Sequence, residues 1–202
     1  NGNTLEEYCK IAELLSETSI DALELNISCP NVKEGGVAFG RDPEKVYEIT
    51  KRVKERSDKF LIVKLSPNVR DIKEVGIAAE AGGADCLSLI NTLIGMGIDI
   101  ETQKPILANK FGGLSGPAIK PVALRMVYEV ANSVNIPIIG MGGIMNSEDA
   151  IEFLLAGASA ISIGTANFVN PSVSVAIIQG IEQYLIRKGY NDITDIVGKA
   201  KI

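Results

Sequence analysis

The sequence predicts an α/β fold built around a parallel β-sheet. Five short runs recur along the 202 residues, each nearly continuous in apolar character, as strands buried on both faces of a parallel sheet should be. Helical patterns separate these runs, and alternating strands and helices are typical of this class. The predicted strands cover residues 22–27, 60–65, 85–90, 136–140 and 160–164.

Each intervening helix has a recognisable start. Thr4 with Glu7 forms the pattern of a capping box. Asp42 followed by Pro43 predicts the next start, because proline is well tolerated at the first helical position. The later starts are predicted at Asp71 with Glu74, after Pro117, at Asn146 or Ser147, and at Pro171.

The number of strands suggests part of a barrel. Five strands are too few to close an eight-stranded barrel, and the chain opens on a helix. We therefore expect the carboxy-terminal portion of a (β/α)8 TIM barrel, about five of its eight strands, as a single domain over residues 1–202. Roughly the first 100 residues of a barrel of about 250–300 would be missing. The alternative is an open doubly wound sheet, which is disfavoured because no Gly-x-Gly-x-x-Gly turn follows the first strand.

Composition excludes several function classes. The net charge of −5 argues against a nucleic-acid partner, which needs a basic surface. No apolar run is long enough to span a bilayer, and no signal-peptide pattern is visible. Three widely spaced cysteines fit a reducing cytoplasm and are too few for an all-cysteine zinc or iron–sulfur site on this chain alone. Because the chain has no His, a general base must be Cys, Lys, Asp, Glu or Tyr.

The run Asn26-Ile27-Ser28-Cys29-Pro30-Asn31 directly follows the first predicted strand. Strand ends are where α/β barrels keep their chemistry. Cys29 could accept a proton there, while Asn26 and Asn31 could hydrogen-bond a planar, amide-rich ring. A free cysteine is also often a small buried hydrophobe, so the motif alone leaves both readings open.

Polar residues at two further strand ends are weaker candidates. Lys64 lies in an otherwise apolar strand, where a charge is costly unless it is paired, so it is either functional or a snorkelling residue of an edge strand. Asn91 and Thr92 follow Ile90, but Asn-Thr after a strand is also ordinary turn material.

Glycine-rich loops predict a phosphate site. One runs from Gly112 to Pro117, and two others follow the last two strands. Paired glycine loops at this position in a barrel allow backbone N–H groups to surround a phosphate. The glycines and hydroxyl of the last two loops are Gly142, Gly143, Gly164 and Thr165.

In combination, these motifs resemble the dihydroorotate dehydrogenases over essentially the whole chain. The similar segments are residues 26–31, 62–69, 90–92, 113–125, 140–144 and 164–168. Cys29 resembles class 1 enzymes, because the membrane-associated class 2 enzymes carry Ser there. Residues 32–36, 39–40 and 93–96 look most like the class 1B catalytic subunit.

The resemblance implies an FMN-dependent oxidation of dihydroorotate to orotate in pyrimidine (UMP) biosynthesis. It also implies a partner subunit carrying FAD and a [2Fe–2S] cluster, with NAD+ as final acceptor, in a cytoplasmic homodimer or heterotetramer. The family's amino-terminal strands, which supply a second active-site lysine, have no counterpart here.

The same resemblance assigns roles to individual residues. Cys29 would take the C5 proton while hydride leaves C6 for the flavin. The pyrimidine ring and its carboxylate would be held by Asn26, Asn31, Asn91 and Thr92. The flavin would be contacted by Asn26, Lys64, Ile90 and Gly116, and its phosphate by Gly142, Gly143, Gly164 and Thr165.

Three alternatives remain. The flavin domain of dihydropyrimidine dehydrogenase shares the Ser-Cys-Pro loop, although Asn31 and the Ile90-Asn91-Thr92 run favour dihydroorotate. A non-redox phosphate-binding barrel could use Lys64 as a Schiff-base lyase. A class 1A enzyme would instead pass electrons to fumarate without a second subunit.

We also expect the long stretch after Thr92, up to Gly113, to form a hairpin that partly covers the active site.

Overall fold

A computed structural model describes residues 2–27 and 40–201, and in them the chain alternates strands and helices. The strands are β1 (Ala22–Asn26), β2 (Phe60–Lys64), β3 (Cys86–Leu89), β4 (Leu93–Gly95), β5 (Ile98–Asp99), β6 (Lys104–Pro105), β7 (Gly112–Leu114), β8 (Ile138–Met141) and β9 (Ala160–Ser162). The helices are α1 (Leu5–Ser16), α2 (Pro43–Lys54), α3 (Ile72–Ala81), α4 (Lys120–Ala131), α5 (Ser147–Ala156), α6 (Ala166–Val169) and α7 (Val173–Lys188). Short 3-10 turns cover Pro117–Ile119 and Ile193–Ile196.

The main sheet has five parallel strands in the order β1-β2-β3-β8-β9. This confirms the predicted α/β class and all five predicted strands. The order follows the chain without the reversal that defines a doubly wound sheet. Because parallel crossovers are right-handed, an order that never reverses places successive helices on the same face of the sheet.

Successive side chains along each strand point to opposite faces of the main sheet. On β1 and β2, the side chains of Leu23, Leu25, Leu61 and Val63 are buried under the helices. Consecutive helices pack on one another in chain order from α1 to α5, and α7 packs on α5. The second face carries the alternate residues, and these include Glu24, Asn26, Lys64, Ser88, Met141 and Ser162.

The predicted helix starts are confirmed with three differences, the simplest being that α7 begins at Val173, two residues after the predicted Pro171. Thr4 accepts a hydrogen bond from Glu7 N, but the Glu7 carboxylate accepts from Asn3 N instead of completing the capping box at Thr4. After Pro117 the chain first forms a 3-10 turn, and α4 begins at Lys120. Pro121 explains this, since it has no N–H to donate to the carbonyl of Pro117. Asp42, Asp71 and Asn146 cap α2, α3 and α5 with their side chains.

Residues 93–114 form an antiparallel arm between β3 and α4. Its base is the pair β4–β7 and its tip is the pair β5–β6. This confirms the predicted hairpin. Asn68 fixes the base, because its amide donates to Thr92 O at 2.9 Å and accepts from Ile94 N at 3.0 Å.

None of the helices within the described ranges combines the length and the apolar character that crossing a membrane requires.

Candidate active site

An open pocket of about 230 Å³ lies at the carboxyl ends of β2, β3, β8 and β9. Nine residues predicted from the sequence line it: Lys64, Ile90, Asn91, Thr92, Gly116, Gly142, Gly143, Gly164 and Thr165. They come from segments as much as a hundred residues apart in sequence, which the parallel sheet brings to one edge. Thr92 and Ser115, which flank the arm on either side, line the pocket, whereas residues 93–114 of the arm itself contribute nothing to this lining.

The loop after β8 has a conformation that requires glycine. Gly142 and Gly143 have φ angles of +128° and +79°. A Cβ at Gly143 would lie 2.8 Å from both Gly116 O and Lys120 N, so the loop rests directly on the backbone at the start of α4. Only a residue without a side chain can adopt this conformation at this separation.

The loop after β9 uses its glycine differently. A Cβ at Gly164 would meet no atom within 4 Å, so the absence of a side chain there leaves room in the pocket and is not needed for packing. The neighbouring Thr165 hydroxyl donates to Ser115 Oγ at 3.0 Å. This bond joins the loop after β9 to the loop before α4 across the pocket.

Lys64 lies at the end of an internal strand. In the sheet register it pairs with Asn26 of β1 and Ser88 of β3. β2 is therefore not an edge strand, and the snorkelling reading is wrong. No carboxylate in the described part of the chain forms an ion pair with Lys64. The Lys64 ammonium is thus a cation of the pocket that pairs with no carboxylate of residues 2–27 and 40–201.

Asn26, Asn91 and Thr92 are held by local hydrogen bonds. The Asn26 carbonyl accepts from the Tyr8 hydroxyl at 2.8 Å, and Asn26 lies beside Lys64 without lining the pocket. Asn91 Oδ1 accepts from Thr92 N at 2.7 Å. Asn91 and Thr92 therefore form a local turn and also line the pocket, so the two readings of this pair do not exclude each other.

Cys29 and Asn31 lie outside the described residues, as do residues 32–36 and 39 of the class 1B resemblance. Gly40, the first residue described after them, packs against the carbonyl of Ile27 at the carboxyl end of β1. The two ends of this segment therefore meet at the edge of the sheet where the pocket lies.

Sequence reasoning missed several residues that complete the lining: Ser115, Ile119, Met141, Ile144, Met145, Ser162 and Ala166. Ser115 lies inside the glycine-rich run already identified, between Gly112 and Pro117. Met141 and Ser162 pair in the sheet register and follow the same alternation as Lys64. A period-two count along each strand could have found both.

The dihydroorotate dehydrogenase family model matches residues 1–185 of the chain. The chain belongs to the dihydroorotate dehydrogenase family. The resemblance inferred from the motifs is thereby confirmed. As a member of this family, the chain carries the strand-end pocket in the part that the family model covers.

Curated relatives within the dihydroorotate dehydrogenase family are closely similar. A protein of Alkaliphilus oremlandii is 61% identical over 198 residues, which are 98% of this chain and 66% of the relative. One of Alkaliphilus metalliredigens is 60% identical over 98% of this chain and 65% of its own length. One of Caldicellulosiruptor saccharolyticus is 59% identical over the whole chain and 67% of its own length. Each is named dihydroorotate dehydrogenase B (NAD(+)), catalytic subunit, and this chain spans about two thirds of their length.

Proposed function

We propose that this chain carries the flavin and substrate site of an FMN-dependent enzyme that oxidises dihydroorotate to orotate in pyrimidine biosynthesis. One observation carries the proposal: nine residues assigned to flavin or substrate from sequence motifs line a single pocket at the carboxyl edge of a parallel sheet. Membership of the dihydroorotate dehydrogenase family and relatives named as catalytic subunits of that activity support it.

The sheet belongs to a (β/α)8 barrel in this proposal. Two features support that architecture: the strand order follows the chain, and consecutive helices pack side by side. Barrel enzymes place their sites at the carboxyl ends of the strands, with phosphate held by the loops after the last two strands. In such a barrel the loops after β8 and β9 would take those positions.

The residues present fit FMN. The space left at Gly164 and the glycine loop at 142–143 give a phosphate close access to backbone N–H groups, and Ser115 and Thr165 add hydroxyl donors. Lys64 supplies a cation, and Ile90 an apolar contact for a ring. Bound FMN would supply the hydride acceptor.

The chain's own residues would bind the substrate and move one proton. Cys29 would take the proton from C5 of dihydroorotate as hydride leaves C6, so that a C5–C6 double bond forms. The other two thiols suit this role poorly, because burial raises the pKa of both Cys9 and Cys86, the latter to about 11. Asn26, Asn31, Asn91 and Thr92 would orient the ring and its carboxylate through amide and hydroxyl groups.

The proposal is tested on the full-length protein, meaning a chain as long as the relatives that contains these residues. We expect it to purify yellow with one FMN per chain, and dihydroorotate to bleach the flavin without oxygen in a one-to-one titration. Absorbance spectra measure both steps. Bleaching by a dihydropyrimidine without the carboxylate, but not by dihydroorotate, would support the dihydropyrimidine dehydrogenase reading. A colourless protein would contradict both flavin readings.

The electron acceptor gives a separate prediction. The relatives are named as catalytic subunits of an NAD+ enzyme. We infer a partner subunit carrying FAD and a [2Fe–2S] cluster, and an assembly that is either a homodimer of this subunit or a heterotetramer with the partner. The chain has three cysteines, fewer than the four that such a cluster usually needs, and no dinucleotide fingerprint.

We therefore expect the flavin-loaded full-length protein alone to be reduced by dihydroorotate but not to reduce NAD+. Absorbance at the NADH band measures the second step, with an artificial dye acceptor as the positive control. Rapid NADH formation by the single chain would contradict the two-subunit proposal. Efficient turnover with fumarate would assign the protein to class 1A.

A further inference from the structure

A charged cluster lies behind the pocket and joins two of its loops. Lys120 Nζ forms ion pairs with Asp149 Oδ1 at 2.6 Å and with Glu152 Oε2 at 3.0 Å. Lys120 begins α4, directly after the Gly-Leu-Ser-Gly-Pro loop, and Asp149 lies in the first turn of α5, directly after the loop that follows β8. The pair therefore connects the segments that follow two lining loops.

Asp149 also holds the backbone of the glycine loop. Its second oxygen, Oδ2, accepts from Met145 N at 2.9 Å, and its own N–H donates to Asn146 Oδ1 at 2.9 Å. Asp149 is buried, with 8% of its surface exposed. A buried carboxylate needs partners for both oxygens, and here Lys120 and the loop backbone supply them.

Lys120 contacts the same loop a second time through its backbone. The position of a Cβ on Gly143 lies 2.8 Å from Lys120 N, so Gly143 rests against the residue whose side chain reaches Asp149. The loop is thus fixed at Gly143 by the backbone of Lys120 and at Met145 by Asp149. Of the two predicted phosphate contacts, Gly143 is itself the first of these points, and Gly142 is the residue before it.

The charge of Lys120 is used within the cluster and not in the pocket. Lys120 is absent from the pocket lining, and two carboxylates surround its ammonium group. Hydrogen bonding to Asp149, and then to Glu152, raises the pKa of Lys120, so Lys120 keeps its positive charge at neutral pH. This arrangement suits a positioning role and does not suit a phosphate ligand.

We propose that Lys120 and Asp149 are positioning residues that hold the 142–145 loop in the conformation that receives the phosphate of the cofactor. The inference rests on the proposed function, since it takes FMN as the ligand. It predicts that the pair governs the affinity added by the phosphate and leaves the affinity for the flavin ring unchanged. Riboflavin, which lacks the phosphate, separates the two contributions.

The test compares variants of the full-length protein after removal of flavin. Dissociation constants for FMN and for riboflavin are measured by fluorescence quenching. In Lys120→Met we expect the ratio of the riboflavin to the FMN constant to fall by about tenfold, as loss of a charge-assisted contact would produce. Lys120→Arg keeps the ion pair and should retain most of the ratio. Arg125→Met is the matched control, because Arg125 forms an exposed pair with Glu129 on the same helix.

Two measurements keep the outcome clear. The double variant Lys120→Met with Asp149→Asn removes both charges, so no unpaired buried carboxylate remains to unfold the protein, and it should show the same fall. Hydrogen exchange at the Met145 amide, measured without flavin, should be faster in Lys120→Met than in wild type or Arg125→Met.

An unchanged ratio, or an equal loss of FMN and riboflavin, would overturn the positioning role. A wild-type protein that bound neither flavin would overturn the proposed function instead. The exchange result would still decide in that case whether the pair fixes the loop.

Discussion

Replacing Cys29 by serine should slow the reduction of bound flavin by dihydroorotate about 10²–10⁴-fold at pH 7, the usual contribution of a general base. A thiol with a pKa near 8.5 can accept a proton close to neutral pH, whereas a hydroxyl needs far more driving force. The rate of Cys29→Ser should therefore recover as the pH rises. Anaerobic stopped-flow spectroscopy between about pH 6 and pH 10 measures this dependence.

Cys9→Ser is the control for this experiment. Cys9 is a buried thiol of α1, in the helical layer and not in the pocket lining. In the Cys9→Ser variant, dihydroorotate should therefore reduce the flavin at the wild-type rate. FMN content should be the same in all three proteins, because neither substitution is in the glycine loops that we assign to the phosphate. Undiminished reduction at pH 7 in Cys29→Ser would exclude Cys29 as the base.

Replacing Gly164 by valine should abolish stoichiometric FMN binding without destabilising the protein. A Cβ at Gly164 would meet no atom within 4 Å, so the added bulk enters the space we assign to the phosphate. We expect FMN affinity to fall by about 100-fold or more, which corresponds to loss of roughly 3 kcal/mol of binding free energy. Flavin content after dialysis and the Tm of the flavin-free protein are the two measurements.

Gly143→Val provides the contrast, because it should lose FMN for a different reason. Its Cβ would lie 2.8 Å from two backbone atoms at a φ of +79°, so the loop itself must rearrange and the Tm should fall as well. The graded variant Gly164→Ala should retain weak binding. A folded Gly164→Val protein that still carried one FMN per chain would refute the phosphate assignment.

The sequence allowed the strands to be predicted well and their ends less well. A continuous apolar run identifies a buried strand, but it does not show where the ladder of hydrogen bonds stops. The fourth predicted strand began at Ile136, whereas β8 begins at Ile138, after Pro137, which cannot donate to the ladder. Helix α6, with four residues, was not predicted, because so short a helix shows no periodicity.

The candidate site also has a part that could be predicted from the sequence and a part that could not. Glycines at strand ends could be identified locally, since the position and the residue type together suggest a loop that approaches a ligand. The Ser115–Thr165 bond spans 50 residues and the Lys120–Asp149 pair spans 29, and each joins side chains from different elements. Thr165 could be singled out from its place after a strand, but the sequence does not show which side chain each of these residues would meet. Their role becomes visible only when the sheet has fixed which helix starts are neighbours.

The strand order also bears on how the chain reaches its native state. Every neighbouring pair in the main sheet joins strands that follow each other along the chain, apart from the arm inserted between β3 and β8. Contacts therefore form within consecutive strand–helix units, which keeps loop-closure entropy small relative to folds with distant pairings. Each unit can dock on the one before it as the ribosome releases it, so folding can proceed from the amino end during synthesis.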